Sequence, residues 1–257
     1  MATSCLPACR SHGRTRQGCG VQEQLTPSRS KVDEASHYDH LVLIPGHAVW
    51  LGGPPEADAS WALAPFQSGE GRAFLGHLRT GVEQAADDPR AWLLTSGGCT
   101  RSESPEQSEA QSYLDLATQQ TWFGHEQVAE RASAEPCARD SYENVLLSLL
   151  AFRERHGRWP RRVTVSGWGF KAPRFKDHAE ALGWPLTRFQ YRGSGAPSDP
   201  GAAAQAEDAT RALFQSSLNA PPLVAKRRAR GFSDRHLPTG LARFSPRRLT
   251  EPAFGLA

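Results

Sequence analysis

The sequence predicts an α/β protein: a Rossmann-like three-layer sandwich with a mainly parallel sheet and helices on both faces. Three observations carry that reading. Short apolar runs alternate with helix-like stretches. Three of the runs, at 40–44, 92–94 and 163–165, stop abruptly at small, polar or charged residues. Those stops mark strand carboxyl ends, where open α/β sheets bind their ligands.

The first strand is His40–Ile44, followed by a long connection rich in Gly, Pro, Ala and Trp that reaches Pro65. Such a length is unusual in a compact domain and points to a functional segment. A helix is expected over Gln67–Asp87, with Phe74, Leu78, Val82 and Ala85 forming one apolar stripe. The second strand is Ala91–Thr95, and a polar loop leads to a helix over Glu106–Gln120. Ser104 there reads as an N-cap and Pro105 as the first helical residue. A short strand is expected within 127–132. The next helix, Ser141–His156, is expected to bury Val145, Leu146, Leu149, Leu150 and Phe152 and is stopped by Gly157 and Pro160. A strand at Arg162–Ser166, a helix at Pro173–Leu182, a strand at Thr187–Tyr191 and an Ala-rich helix within 200–215 complete the pattern.

One folded domain is expected over residues 38–220, with an extension at 1–37 and a basic tail at 221–257. The net charge of +3 is unevenly spread. The extension holds five Lys/Arg against three Asp/Glu, the tail holds eight against two, and the middle stretch therefore carries −5. A mildly acidic core argues against nucleic-acid binding there. The run Lys226-Arg227-Arg228-Ala229-Arg230 reads as a solvated tail, with contact to an acidic surface as the alternative. The five cysteines (Cys5, Cys9, Cys19, Cys99 and Cys137) are odd in number and form no Cys-x-x-Cys pair. Neither a disulfide framework nor a zinc site is expected, and a reducing, cytoplasmic setting fits. No apolar run reaches the roughly 18 residues of a membrane span. Through Gly20 the chain has Ser, Arg and Cys but no acid, as organellar transit peptides do. Pro7, Gly13, Gly18 and Gly20 break an amphipathic helix there, so a disordered extension is favoured over a cleaved targeting peptide.

Several residues at the strand ends can carry chemistry. Ser96-Gly97-Gly98 is either a backbone cradle for an anion or a plain tight turn, and Arg101 either completes that cradle or is solvated. His47, directly after the first strand with Gly46, is a candidate general base or a structural histidine. From spacing alone, Arg139 to Asn144 reads as a helix start capped by Asp140 or Ser141. Lys171 and Arg174 stand at a helix start, where cations are unfavourable. They need a compensating partner, such as a phosphate, a carboxylate or an acidic neighbour. No Gly-x-Gly-x-x-Gly, P-loop or Gly-x-Ser-x-Gly is present, which disfavours NAD binding, NTP hydrolysis and a serine hydrolase elbow.

In this order, Gly46, Ser96-Gly97-Gly98, Ser108-Glu109-Ala110, the box Ala138-Arg139-Asp140-Ser141-Tyr142-Glu143-Asn144 and Lys171-Ala172-Pro173-Arg174 resemble the motifs of the YdcF/SanA-like family, also called domain of unknown function 218. The resemblance covers roughly residues 40–215. Ala138 and Lys171 replace the serine and histidine of the bacterial pattern. Gly46-His47-Ala48, Phe170-Lys171 and the basic stretch after Leu223 look closer to a eukaryotic branch, which would extend the likeness to about residue 248. The resemblance implies a Rossmann-like fold without the dinucleotide fingerprint. It adds Glu109 as a second catalytic candidate, able to accept from a ligand hydroxyl or to orient Arg139. It groups Gly46, Ser96, Gly97, Gly98, Arg101, Arg139, Asp140, Ser141, Asn144, Lys171 and Arg174 as ligand-binding candidates. One bacterial member is reported to bind S-adenosylmethionine, but Ser96 stands where a methyltransferase places an acid, so no cofactor is carried over. The expected ligand is a small anionic or nucleotide-like metabolite. The chain then acts as a hydrolase or transferase of unassigned reaction, as a binding module, or as an adaptor working through its tail.

Overall fold

The computed structural model describes residues 37–102, 104 and 106–230. The predicted N-terminal extension, Pro105 and the stretch 231–257 of the predicted tail lie outside the described residues. In chain order the first elements are β1 (His40–Pro45), β2 (Val49–Trp50), β3 (Trp61–Ala62), α1 (Gly71–Ala86), β4 (Ala91–Ser96) and α2 (Glu109–Gln119). Then come β5 (Ala132–Glu135), α3 (Ser141–His156), β6 (Arg162–Gly167), α4 (Ala172–Ala181), β7 (Phe189–Gly193), α5 (Pro200–Ser216) and α6 (Pro221–Ala229).

Five strands form one parallel sheet in the order β5-β4-β1-β6-β7. The chain starts in the middle, steps outward through β4 and β5, then returns to the other side of β1 with β6 and β7. The boundary between β1 and β6 is therefore the topological switch point, where a crevice opens at the strand carboxyl ends. Side chains alternate across each strand, so β1 feeds two cores. Leu41 and Leu43 pack with Val145, Leu149 and Phe152 of α3 and with Phe175, Phe214 and Leu223. Val42 and Ile44 pack with Phe74, Leu78 and Val82 of α1 and with Leu116 of α2. Every residue of β1 is buried, which explains its unbroken apolar run. The expected three-layer α/β architecture is the observed one.

Element boundaries differ where caps or single side chains decide them. Helix α1 starts at Gly71 rather than near Gln67, because Pro65–Gln67 forms a separate 3-10 turn. Helix α2 starts at Glu109, not Glu106, because the N-cap is Ser108, whose Oγ accepts from the Gln111 N–H at 3.0 Å. The strand expected at 127–132 is instead a 3-10 turn, Glu126–Arg131, followed by β5. The Arg131 guanidinium pins that turn by donating to the carbonyls of Asp88 (2.8 Å) and Ala91 (2.9 Å). The long connection after β1 contains the antiparallel pair β2–β3, whose Trp50 and Trp61 join the second core. The first ten residues of the expected tail are ordered. Pro221 and Pro222 open α6, and Leu223 and Arg227 are its buried residues. Among the described residues no helix is long and apolar enough to cross a membrane.

Candidate functional site

A cleft of about 180 Å³ lies at the carboxyl end of β1, enclosed by the starts of α2, α3 and α4 and by α5, α6 and the turn at 65–67. Of the predicted site residues, Gly46, His47, Arg101, Glu109, Arg139, Asp140, Ser141, Asn144, Lys171 and Arg174 line it. Residues separated by over a hundred positions in sequence thus converge on one rim.

Ser96, Gly97 and Gly98 do not form an anion cradle. The Gly97 N–H donates to the Glu135 carbonyl (3.0 Å) and the Gly98 N–H to the Ala138 carbonyl (2.7 Å), so both donors are already used. Ser96 is fully buried, and its Oγ donates to Glu135 Oε2 at 2.6 Å. It also accepts from Asn144 Nδ2 at 2.9 Å, which ties the start of α3 to the end of β4. The glycines serve Glu109 instead. A Cβ on Gly46 would lie 2.5 Å from Glu109 Cβ, and one on Gly97 would lie 2.7 Å from Glu109 Oε2. Gly97 also has φ +154°, which other residues rarely adopt.

Glu109 is the first residue of α2, where its charge suits the positive end of the helix. Its carboxylate accepts from the Thr100 hydroxyl and stands 4.0 Å from Arg101 Nε. It does not orient Arg139, which forks onto Glu143 at 2.9 and 2.5 Å. Arg101 in turn donates to the His47 carbonyl (2.6 Å) and to Gln67 Oε1 (2.8 Å). Among the described residues its buried Nε has no hydrogen-bond partner.

The opposite wall is built from arginine–carboxylate pairs. Arg174 forks onto Glu207 of α5 at 2.6 and 2.7 Å and donates its third nitrogen to Ser141 Oγ at 2.7 Å. Arg227 of α6 meets Asp140 Oδ2 at 2.6 Å, while Asp140 Oδ1 caps α3 by accepting from the Glu143 N–H at 2.9 Å. Both carboxylate oxygens of Asp140 are therefore engaged within the protein. Docking of Arg227 carries Lys226 and Arg230 to the cleft, where both line it. This part of the predicted tail is a helix that lines the site while Arg228 and Ala229 stay exposed.

Six cationic side chains line the cleft (Arg101, Arg139, Lys171, Arg174, Lys226 and Arg230) against two carboxylates, Glu109 and Asp140. Lys171 differs from the arginines. Among the described residues its ammonium has no hydrogen bond or ion pair, and it lies 5.6 Å from the centre of the Phe170 ring. Burial, together with the neighbouring Arg174, pushes its pKa down to about 8.

The two imidazoles of the cleft region are poor bases. The His47 ring sits among Phe74, His77 and Trp168, and its Nε2 is buried without a partner. Desolvation and the nearby Lys171 hold its pKa well below the ordinary value, so a general-base role near neutral pH is not supported. His178 Nε2 lies 2.8 Å from Ser141 Oγ, the spacing of a nucleophile and its base. Burial and then Arg174 push its pKa down to about 3, which fits a neutral acceptor completing a buried network. Beneath the cleft, desolvation raises Glu135 to about 7 despite its bonds to Ser96 and to the Cys137 N–H.

Sequence reasoning missed Glu207, Glu143, Glu135, Gln67, Lys226 and Arg230. Only α6 left a usable signal, in Pro221-Pro222 opening a segment with Leu223 and Arg227 four apart.

Fold and site together define a class: a three-layer α/β protein of Rossmann-like topology with a cation-rich cleft at its switch point. The chain is similar to YOR238W, an uncharacterised protein of Saccharomyces cerevisiae, with 27% identity over 202 residues covering 60% of this chain and 66% of the yeast protein. The likeness thus spans just under two thirds of that relative's length. No protein-family model matches the chain, and no solved structure matches it.

Proposed function

We propose that the protein binds a small anionic metabolite, of phosphate-ester character, in the cleft at the β1–β6 switch point, and that it is a eukaryotic relative of the YdcF/SanA-like proteins. The observation that carries this reading is Lys171. Its ammonium is half-buried, its pKa is lowered although Glu207 and Glu70 act the other way, and among the described residues it forms no ion pair, so an entering anion would complete it. Lys226 supports it: it lines the same cleft with an exposed ammonium that forms no ion pair among the described residues. The family relationship is supported by the order of the motifs around the cleft. A cytoplasmic setting rests on the cysteine pattern alone.

Thermal-shift screening of the full chain against nucleotides, sugar phosphates and S-adenosylmethionine tests the reading. A bound ligand raises stability by mass action, whether or not it is turned over. The expected result is stabilisation by phosphorylated compounds, suppressed by salt. Stabilisation by uncharged or cationic compounds alone would remove the proposal.

A second reading, turnover of the bound anion, is favoured by one observation. Lys171, at about 8, is a cleft group poised to exchange a proton near neutrality, where His47 and His178 are not. Loss of the hit compound on prolonged incubation with the protein would distinguish it from simple capture.

A further inference from the structure

We propose that the ligand is a nucleoside phosphate whose base stacks on Phe66 at the mouth of the cleft. This rests on the anion-binding reading above and adds the chemical class of what is bound.

Phe66 is 78% exposed, yet it lines the cleft. Among the described residues every other phenylalanine is at least partly buried. Burying a phenyl ring is among the larger stabilising contributions open to a side chain, so leaving this one in water calls for another use. Its backbone is held firmly in that position. Pro65 fixes the first residue of the 3-10 turn. Gln67, 5% exposed, accepts from the Ala64 N–H at 3.0 Å and donates to the His47 carbonyl at 2.9 Å. The same Gln67 oxygen accepts from Arg101 at 2.8 Å. An exposed ring on a pinned backbone is thus coupled through one residue to a cation of the cleft. Arg101 and Lys171 both line that cleft.

A ligand that uses both features needs a flat apolar face and a negative group joined by a short polar spacer. Nucleoside phosphates have that form; sugar phosphates lack the flat face. Stacking on an aromatic ring tolerates any base, so this contact sets the class and not the base.

Calorimetric titration of the full chain with AMP, ribose 5-phosphate and inorganic phosphate tests the assignment. Wild type is expected to bind AMP about 5- to 100-fold more tightly than ribose 5-phosphate, the range that base–aromatic stacking gives. Phe66→Ala should erase that margin and leave ribose 5-phosphate binding unchanged, while Phe66→Trp should keep it. If the margin is absent in wild type, or survives Phe66→Ala, stacking is overturned. If in that case Lys171→Ala still weakens all three phosphates, the anion site stands without it. If Lys171→Ala weakens none, or wild type binds none, the anion site itself fails, and this assignment with it.

Discussion

Arg174 and Lys171 stand three residues apart at the start of α4, and both line the same cleft, but their surroundings differ. Arg174 is buried and forked onto Glu207, with Ser141 taking its remaining nitrogen. Lys171 has no such partner among the described residues, and its pKa falls to about 8. The contrast extends to α6, where Arg227 is locked onto Asp140 and the preceding Lys226 forms no ion pair among the described residues. Guanidinium and carboxylate match as planar, bidentate partners, which suits them to bracing a wall. An ammonium on a flexible stem is a mobile point charge and suits contact with something that enters. Arginines hold the cleft together, and lysines face its interior.

The strongest way to break this comparison is through stability. Arg174→Ala leaves Glu207 buried and uncompensated and should reduce the free energy of unfolding by about 3–5 kcal/mol in urea denaturation. Lys171→Ala removes a cation whose charged form the fold disfavours, so it should not lower stability and should raise it near pH 7. Equal losses would show that the two residues share one structural role. A smaller effect is expected at the rim opposite. Gly46→Ala drives a methyl into Glu109 and should cost about 1–3 kcal/mol by the same assay.

Two pH profiles sharpen the contrast. His178 has a native pKa of about 3 against an ordinary value of 6.5, so the unfolded chain binds more protons between those limits. Stability should therefore fall as pH drops below about 6.5, and His178→Gln should flatten the profile by up to about 1.4 kcal/mol per pH unit. Lys171 acts at the other end. Its depressed native pKa means the unfolded chain holds the extra proton between about 8 and 10.5, so ligand-free stability should rise across that window. Affinity for an anion should move the opposite way, declining above about pH 8 as the ammonium is lost, and Lys171→Ala should abolish both trends.

Much of the frame was legible because local chemistry decided it. The unbroken apolar run at 40–44 could only be a strand buried on both faces, and Asp140 with Gly157 bounded α3 where the sequence placed it. Lys171 and Arg174 stood out as cations at a helix start, and one of the two did have an acidic neighbour. That neighbour, Glu207, comes from an Ala-rich helix with no local sign of its role. Arg227 was hidden in the same way, since a run of basic residues gives no hint that one of them reaches Asp140, 87 positions away. At Gly97 and Gly98 the small residues correctly signalled a close approach. What approaches Gly97 is the Glu109 side chain, and what faces Gly98 is the backbone at 136–138.

The central claim is that Lys171 holds an anion and does not hold the fold. Its most direct test is calorimetric titration of ribose 5-phosphate into wild type and Lys171→Ala at pH 7, with thermal unfolding measured on the same samples. The account predicts binding at least about 10-fold weaker in the variant, with the unfolding midpoint of the ligand-free protein not lowered. Undiminished affinity in a normally folded Lys171→Ala would contradict it.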